Sequence, residues 1–449
     1  MFSQISSGLT ASDILLSTVL VLMIFTGCWF YQLQKKHLPQ YRFFLPALIA
    51  RLIGTILFCC IYVYHYKDGD ALFYFRSSKL ISNLFFSEPF TFLKIILSSD
   101  ISFDDLTKLD SHQGYLLLLN DSYSFFFIRL ITLLNLFSFG NFMACSILLS
   151  IICFSGSWKL YTVFCERFPN LIKELAIAMF FFPSILFWGG GLLKDTVTFS
   201  AVGWFIYSLY RLLEGKRTIR IFISFLTSVL ILIFIKPYIL YALIAAGSMW
   251  LAAQYVRSIS IQLERLIYAP VVIILFSLLS ITLIYNLANE ESRFSVQKAQ
   301  HFLAMKQANT KSTSSFETPA IGNSVSSVTK WFLSNINVTL FRPYLWEAKN
   351  EMMKSAALEN LFLIIFLMWL LFRYRVIFIF KHLFADPLLI FSFFFVITLS
   401  LIVGFSTDNF GTLDRFRIPL LPFYLAICFV LKNRLKTQLK FDLSRSMPN

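Results

Sequence analysis

Residues 14–30 read ILLSTVLVLMIFTGCWF, a run with no charge and almost no polar group, and this stretch decides the fold. Hydrocarbon cannot hydrate backbone amides, so a chain crosses a bilayer either as helices of about 20 apolar residues or as a closed barrel. Barrel strands alternate apolar and polar positions; this run does not, so it predicts a helix. The whole chain agrees with its first span. Its 449 residues are 57% hydrophobic and 14% charged, where soluble proteins carry about 25% charge. That composition excludes a water-soluble globule, a disordered chain and a disulfide-stapled secreted scaffold. The fold class is an all-α polytopic membrane protein with a single integral membrane domain over 1–449.

Further apolar runs lie near 43–64, 141–163, 174–189, 195–212, 219–235, 238–256, 266–286, 356–372, 386–405 and 415–431, which with the first (12–33) makes about eleven transmembrane helices. The segment 125–139 is also apolar and is read as an interfacial or part-way helix. The opening sequence MFSQISSGLTASD lacks the basic region of a cleavable signal, so the first helix is expected to be retained. Basic residues collect in alternate connectors: Lys35, Lys36 and Arg42; Arg211, Lys216, Arg217 and Arg220; Arg257 and Arg265; Arg373, Arg375 and Lys381; Lys432, Arg434, Lys436 and Lys440. These face the cytoplasm by the positive-inside rule, with the N-terminus outside and the C-terminus inside. The same rule accounts for the net charge of +15, and no nucleic-acid partner is needed to explain it. The seven cysteines show no metal-ligand spacing and read as apolar filler.

Two outer connectors are too long to be turns. The first, 65–124, is acidic and holds SNLFFSEPFTFLKIIL (82–97), read as juxtamembrane helix. The second, 287–355, contains NTKSTSSFETPAIGNSVSSVT (309–329), whose composition suggests a lid. No internal repeat is evident, which argues against an inverted-repeat transporter.

Charges at a membrane edge are expensive, and those on the outer side form a short list. Asp68 and Asp70 stand in YHYKDGDALFYF (64–75), where Gly69 lets a carboxylate turn back toward the membrane as a general base; an acidic helix end partnered by Lys67 is the plain alternative. In FPSILFWGGGLLKDTVTF (182–199), Pro183 breaks a helix, Gly189 to Gly191 allow a tight turn, and Lys194 and Asp195 open the next helix, whose N-terminus favours an anion such as phosphate. Lys236 interrupts LILIFIKPYILYALIA (230–245), either snorkelling to headgroups or holding a lipid phosphate. FSTDNFGTLDRFRIPLLPFY (405–424) supplies Asp408, Asp414, Arg415 and Arg417; its arginines suit bidentate phosphate binding, and an Asp414 to Arg417 pair is the alternative. FRPYLWEAKNEMM (341–353) adds Arg342, Trp346 and Glu347, also readable as an amphipathic entry helix. No His, Asp and Glu cluster points to a metal; the outer aspartate pair is at most a loose divalent-cation site.

An added N-terminal helix, an acidic first outer loop with Asp68 and Asp70, juxtamembrane helices, the proline-broken FPSILFWGGGLLKD and a late long outer loop together resemble GT-C membrane glycosyltransferases. More narrowly, the layout resembles the lineage of protein O-mannosyltransferases and lipid A aminoarabinose transferases. RFRIPLLPF (415–423) is similar to bacterial surface-polysaccharide polymerases. The resemblance implies a bacterial inner-membrane enzyme that takes a sugar from a polyprenyl-phosphate-linked donor and passes it to a glycan, lipid or protein acceptor. Asp70 or Asp68 would be its first-loop carboxylate and Asp195 its second-loop aspartate. Lys194, Lys236, Arg342, Arg415 and Arg417 would be candidate phosphate ligands. A flippase or transporter of lipid-linked glycans is the rival expectation; it predicts charges buried at mid-membrane on broken helices.

Overall fold

The computed structural model describes residues 9–98, 121–259, 316 and 324–446, with positions 271, 274, 275 and 278. Among the described residues the chain is helical, with no strand element, and it divides into two compact units, Met1–Pro237 and Tyr238–Asn449. Among the described residues six helices are long and apolar enough to cross a membrane, or eight if each of two bent pairs is one span. Every predicted apolar segment is helical except 266–286, which lies outside the described residues apart from isolated positions. The difference between eight and about eleven is made up of 266–286 and two marginal helices. Lys194–Leu213 has charges at its ends, and Ile219–Ile235 has 17 residues, about 25 Å of helix against a core of about 30 Å.

In the first unit, α1 (Ala11–Gln34) is capped by Thr10 and largely uncovered by protein. It is tied down at one end by Asn141, whose amide donates to Asp13 Oδ1 at 2.8 Å. A 3-10 turn at Pro39–Phe43 leads into α2 (Phe44–Cys60), which continues as a π-helical turn to Tyr66. Lys67 (φ 57°) and Gly69 (φ 115°) then reverse the backbone, and α3 (Asp70–Ser87) and α4 (Pro89–Leu97) follow, broken where Pro89 cannot continue the helix. These helices fill the described part of the first outer connector; 99–120 lie outside the described residues. The apolar 125–139 segment lies in α5 (Ser122–Phe137), 16 residues packed on α3 through Tyr74 and Phe127.

The centre of this unit is α6 (Phe142–Arg167) against α9 (Lys194–Leu213). Between them α7 (Ile172–Ala176) and a π turn run to Pro183, where the chain bends 47° into α8 (Pro183–Gly190). Gly156 and Gly203 let the two backbones touch: a Cβ on Gly203 would lie 2.1 Å from the Gly156 carbonyl oxygen. Gly203→Leu is therefore expected to destabilise the protein by about 1–3 kcal/mol through overpacking. A thermal-unfolding midpoint equal to wild type would show that the helices do not meet here. The unit closes with α10 (Ile219–Ile235).

The second unit contains α11 (Pro237–Ser258), α12 (Val325–Phe341), α13 (Glu351–Arg373), α14 (Val376–Leu383), α15 (Pro387–Ser406), α16 (Phe410–Phe416) and α17 (Leu421–Ser446), with a 64° bend between the last two. Its core packs Phe391 (tilted) and Phe395 (edge to face) against Phe423, and Trp250 at a tilt against Phe391. The predicted long loop 287–355 contains α12, which starts at a Ser324 capping box. Asn335, Val338 and Thr339 form its buried face, at helical spacing, and Thr339 Oγ1 donates to the Ser400 carbonyl at 2.7 Å. Most of the proposed lid, 309–329, lies outside the described residues, and its last residues belong to this helix.

Candidate functional site

The first unit brings four of the sequence-predicted charges, Asp70, Lys194, Asp195 and Lys236, to where α3, α5 and α9 begin and α8 and α10 end. The chain turns tightly from α8 into α9 over Gly191–Leu193, where the Leu193 amide donates to the Gly191 carbonyl at 2.9 Å, with no positive φ at any of the three glycines. The triplet also lets α8 press on α2: added Cβ atoms would lie 2.9 Å from Arg51 Nη1 at Gly189, 2.9 Å from Thr55 Oγ1 at Gly190 and 2.5 Å from the Phe58 ring at Gly191. Thr196 Oγ1 donates to the Gly191 carbonyl at 2.6 Å, locking the start of α9 onto the end of α8.

Asp195, on the first turn of α9, is 3% exposed and Lys236, at the end of α10, is 5% exposed. Lys236 Nζ donates to Asp195 Oδ1 at 2.5 Å. Lys236 is thus neither a snorkelling lysine nor an open phosphate ligand: burial makes an opposite charge the only tolerable neighbour, and Asp195 supplies it. Its neighbour Lys194 is mostly covered and joins three helices. It donates to Ser124 Oγ at 2.6 Å, pairs with Asp121 Oδ2 at 3.5 Å and lies 5.6 Å from the Tyr74 ring centre. Asp195 and Asp70 also act on it electrostatically. Asp121 caps α5 by accepting from the amides of Tyr123 and Ser124. Asp70 is exposed at the first position of α3. Asp68, whose side chain is 82% exposed, pairs loosely with Arg76 at 3.7 Å. Lys194, Asp195, Lys236 and Asp70 therefore belong to one neighbourhood, and Asp68 stands at its solvent edge.

Sequence reasoning missed Arg51. It sits within the apolar helix α2, 4% exposed, with Nε donating to Ser150 Oγ at 3.2 Å and no hydrogen-bond partner for Nη2 among the described residues. The signal was present as one arginine in the apolar run LPALIARLIGTIL (45–57), since a charge inside a span is a functional candidate by default.

In the second unit the arginines are already engaged. Arg417 is 0% exposed; Nη1 donates to Asn360 Oδ1 at 2.5 Å, and Nη2 lies 2.9 Å from Asp414 Oδ1, close enough to pair but not aligned for a hydrogen bond. This is the Asp414 to Arg417 pair that stood as the alternative to a phosphate clamp: the buried fork joins the α16–α17 bend to α13, while Nε and Nη2 make no hydrogen bond among the described residues. Arg415 is half-buried on α16. Asp408 is buried, its carbonyl accepting from the Phe316 amide at 3.0 Å. Arg342 Nε lies 3.0 Å from both oxygens of Glu347, and Nη2 also donates to Glu347 Oε1. The guanidinium lies over the rings of Phe316 and Phe410. Burial alone would raise the Glu347 carboxyl, but hydrogen bonds from Arg342 and the Tyr344 amide outweigh it and hold the group below the usual carboxylate range. No entry helix forms over 342–350, because Pro343 and this Arg342 to Glu347 clasp shape a turn and Asn350 caps α13.

Among the described residues no group of three or more His, Cys, Asp or Glu side chains could hold a metal ion. No family model, curated protein or solved structure matches the chain.

Proposed function

We propose that the protein is a GT-C-type membrane glycosyltransferase with about eleven crossings, in a bacterial inner membrane with its N-terminus outside and C-terminus inside. It transfers a sugar from a polyprenyl-phosphate-linked donor to a glycan, lipid or protein acceptor on the outer face. The observation that supports this reading is the Lys194 ammonium, mostly covered, held by Ser124 at 2.6 Å and Asp121 at 3.5 Å, with Asp70 exposed nearby at the first position of α3 in the first outer connector. In the reaction, the bond from the sugar anomeric carbon to the carrier phosphate oxygen breaks and its electron pair stays on the phosphate. The acceptor oxygen bonds to that carbon, and its proton passes to Asp70. Lys194 stabilises the charge growing on the leaving phosphate. A phosphate leaving group needs no strong general acid, so one carboxylate and one cation suffice. Asp195 and Lys236 form the pair that holds Lys194 in place.

The test is binding of sugar-free polyprenyl phosphate to the purified chain. Lys194→Met is expected to weaken it about tenfold or more, the loss of one charge-assisted contact, while Lys354→Met, at an exposed surface pair, leaves it unchanged. Wild-type affinity in Lys194→Met would reject the assignment.

A second reading, movement of a lipid-linked glycan across the bilayer, is favoured by Arg51: a buried guanidinium with an unpartnered nitrogen inside a span, packed on a helix broken at Pro183.

A further inference from the structure

The first unit has a cavity of about 460 Å³ at its basic end, away from the cluster around Lys194. Its floor is apolar, with Leu48, Ile151 and Phe154; its walls include Tyr41 and Trp158, whose rings meet edge to face at 5.3 Å. Two cations reach it. Arg211 is neutralised, bonding Glu166 at 2.6 Å and Glu214 at 2.8 Å. The Lys159 ammonium is not: its contact is the face of Tyr207, 4.7 Å from the ring centre, and it makes no ion pair among the described residues. With Glu166 and Glu214 counted against Arg211 and Lys216, which pairs with Glu214 at 3.1 Å, Lys159 remains the one uncompensated positive charge above an apolar floor. Lys159 lies one helical turn, about 6 Å, inside the predicted end of its span near residue 163, so its side chain reaches the level of lipid phosphates. The surrounding connectors carry Lys35, Lys36, Arg42, Lys216 and Arg217, marking the side whose leaflet is anionic.

We propose that this cavity binds one anionic phospholipid of the cytoplasmic leaflet, with its phosphate on Lys159 and an acyl chain along Leu48, Ile151 and Phe154. Free phosphate would use the cation but leave the apolar floor uncovered, and a zwitterionic lipid would bring its own positive charge to the ammonium. The lipid would fasten α1, α2, α6 and α9 together, since Tyr31 of α1 lines the cavity and its hydroxyl lies 3.3 Å from that of Tyr41. The site is independent of the transfer reaction.

The experiment measures lipid retention on the purified full chain by native mass spectrometry, with phosphatidylglycerol, phosphatidylcholine and inorganic phosphate as probes. Phosphatidylglycerol is expected to be retained at least about fivefold more than phosphatidylcholine, the effect of one lysine at an anionic surface. Inorganic phosphate should not displace it. Lys159→Gln should abolish that preference, Lys159→Arg should keep it, and Lys216→Gln, at an exposed pair on the same side, should leave it intact. Equal retention of the two lipids by wild type, an unchanged preference in Lys159→Gln, or displacement by inorganic phosphate would each overturn the proposal.

Discussion

Lys236→Met is expected to destabilise the protein by about 3–5 kcal/mol, the cost of leaving a buried charge without its partner. Asp195 is 3% exposed, so the variant leaves its carboxylate buried without the opposite charge beside it. The double variant Asp195→Leu with Lys236→Met should recover most of the loss, because replacing a buried pair by apolar groups of similar size is often neutral. Thermal unfolding in detergent checks both. A single variant as stable as wild type would show that the 2.5 Å contact does not hold α9 to α10.

Asp70→Asn is expected to lower sugar transfer by at least about 100-fold, the usual contribution of a general base, while leaving the unfolding midpoint where it was. The amide keeps the shape of the side chain and removes its basicity, and position 70 is exposed at the start of α3. Asp68→Asn should change little, since Asp68 makes only a loose, exposed pair with Arg76, and such pairs contribute at most about 1 kcal/mol. Turnover of both variants with the same donor separates the two carboxylates, which sequence alone left open. Full activity in Asp70→Asn would remove it as the base.

The contrast between these residues shows what could be read from the chain. The spans were legible because the bilayer imposes length and apolarity on each run separately: 142–167, 237–258 and 387–406 are helices that need no knowledge of their neighbours. The break at Pro183 was legible for the same local reason. Partners distant in sequence were not. Lys236 and Asp195 are 41 positions apart, and nothing in either segment says that they meet; read alone, a lysine beside a proline at a span end looks like a snorkeler. Arg417 likewise looked like an outward clamp because its burial depends on Asn360, 57 positions away. The glycine triplet is legible as a turn, but its second task, the close approach of α8 to α2, is not, since a turn and a close helix approach both select for a missing Cβ. The helix α12 was hidden by its Ser and Thr content, although buried Asn335, Val338 and Thr339 keep helical spacing.

Whether this protein breaks the bond between a sugar and a lipid phosphate is decided by following a labelled donor. Purified protein in liposomes is given a polyprenyl-phosphate donor carrying a labelled sugar, and both the chemical state and the leaflet of the label are followed. The account predicts that wild type separates label from carrier in the presence of an acceptor, and that Asp70→Asn and Lys194→Met do not. Label that changes leaflet still attached to its carrier, equally with wild type and Asp70→Asn, would contradict it and establish translocation instead.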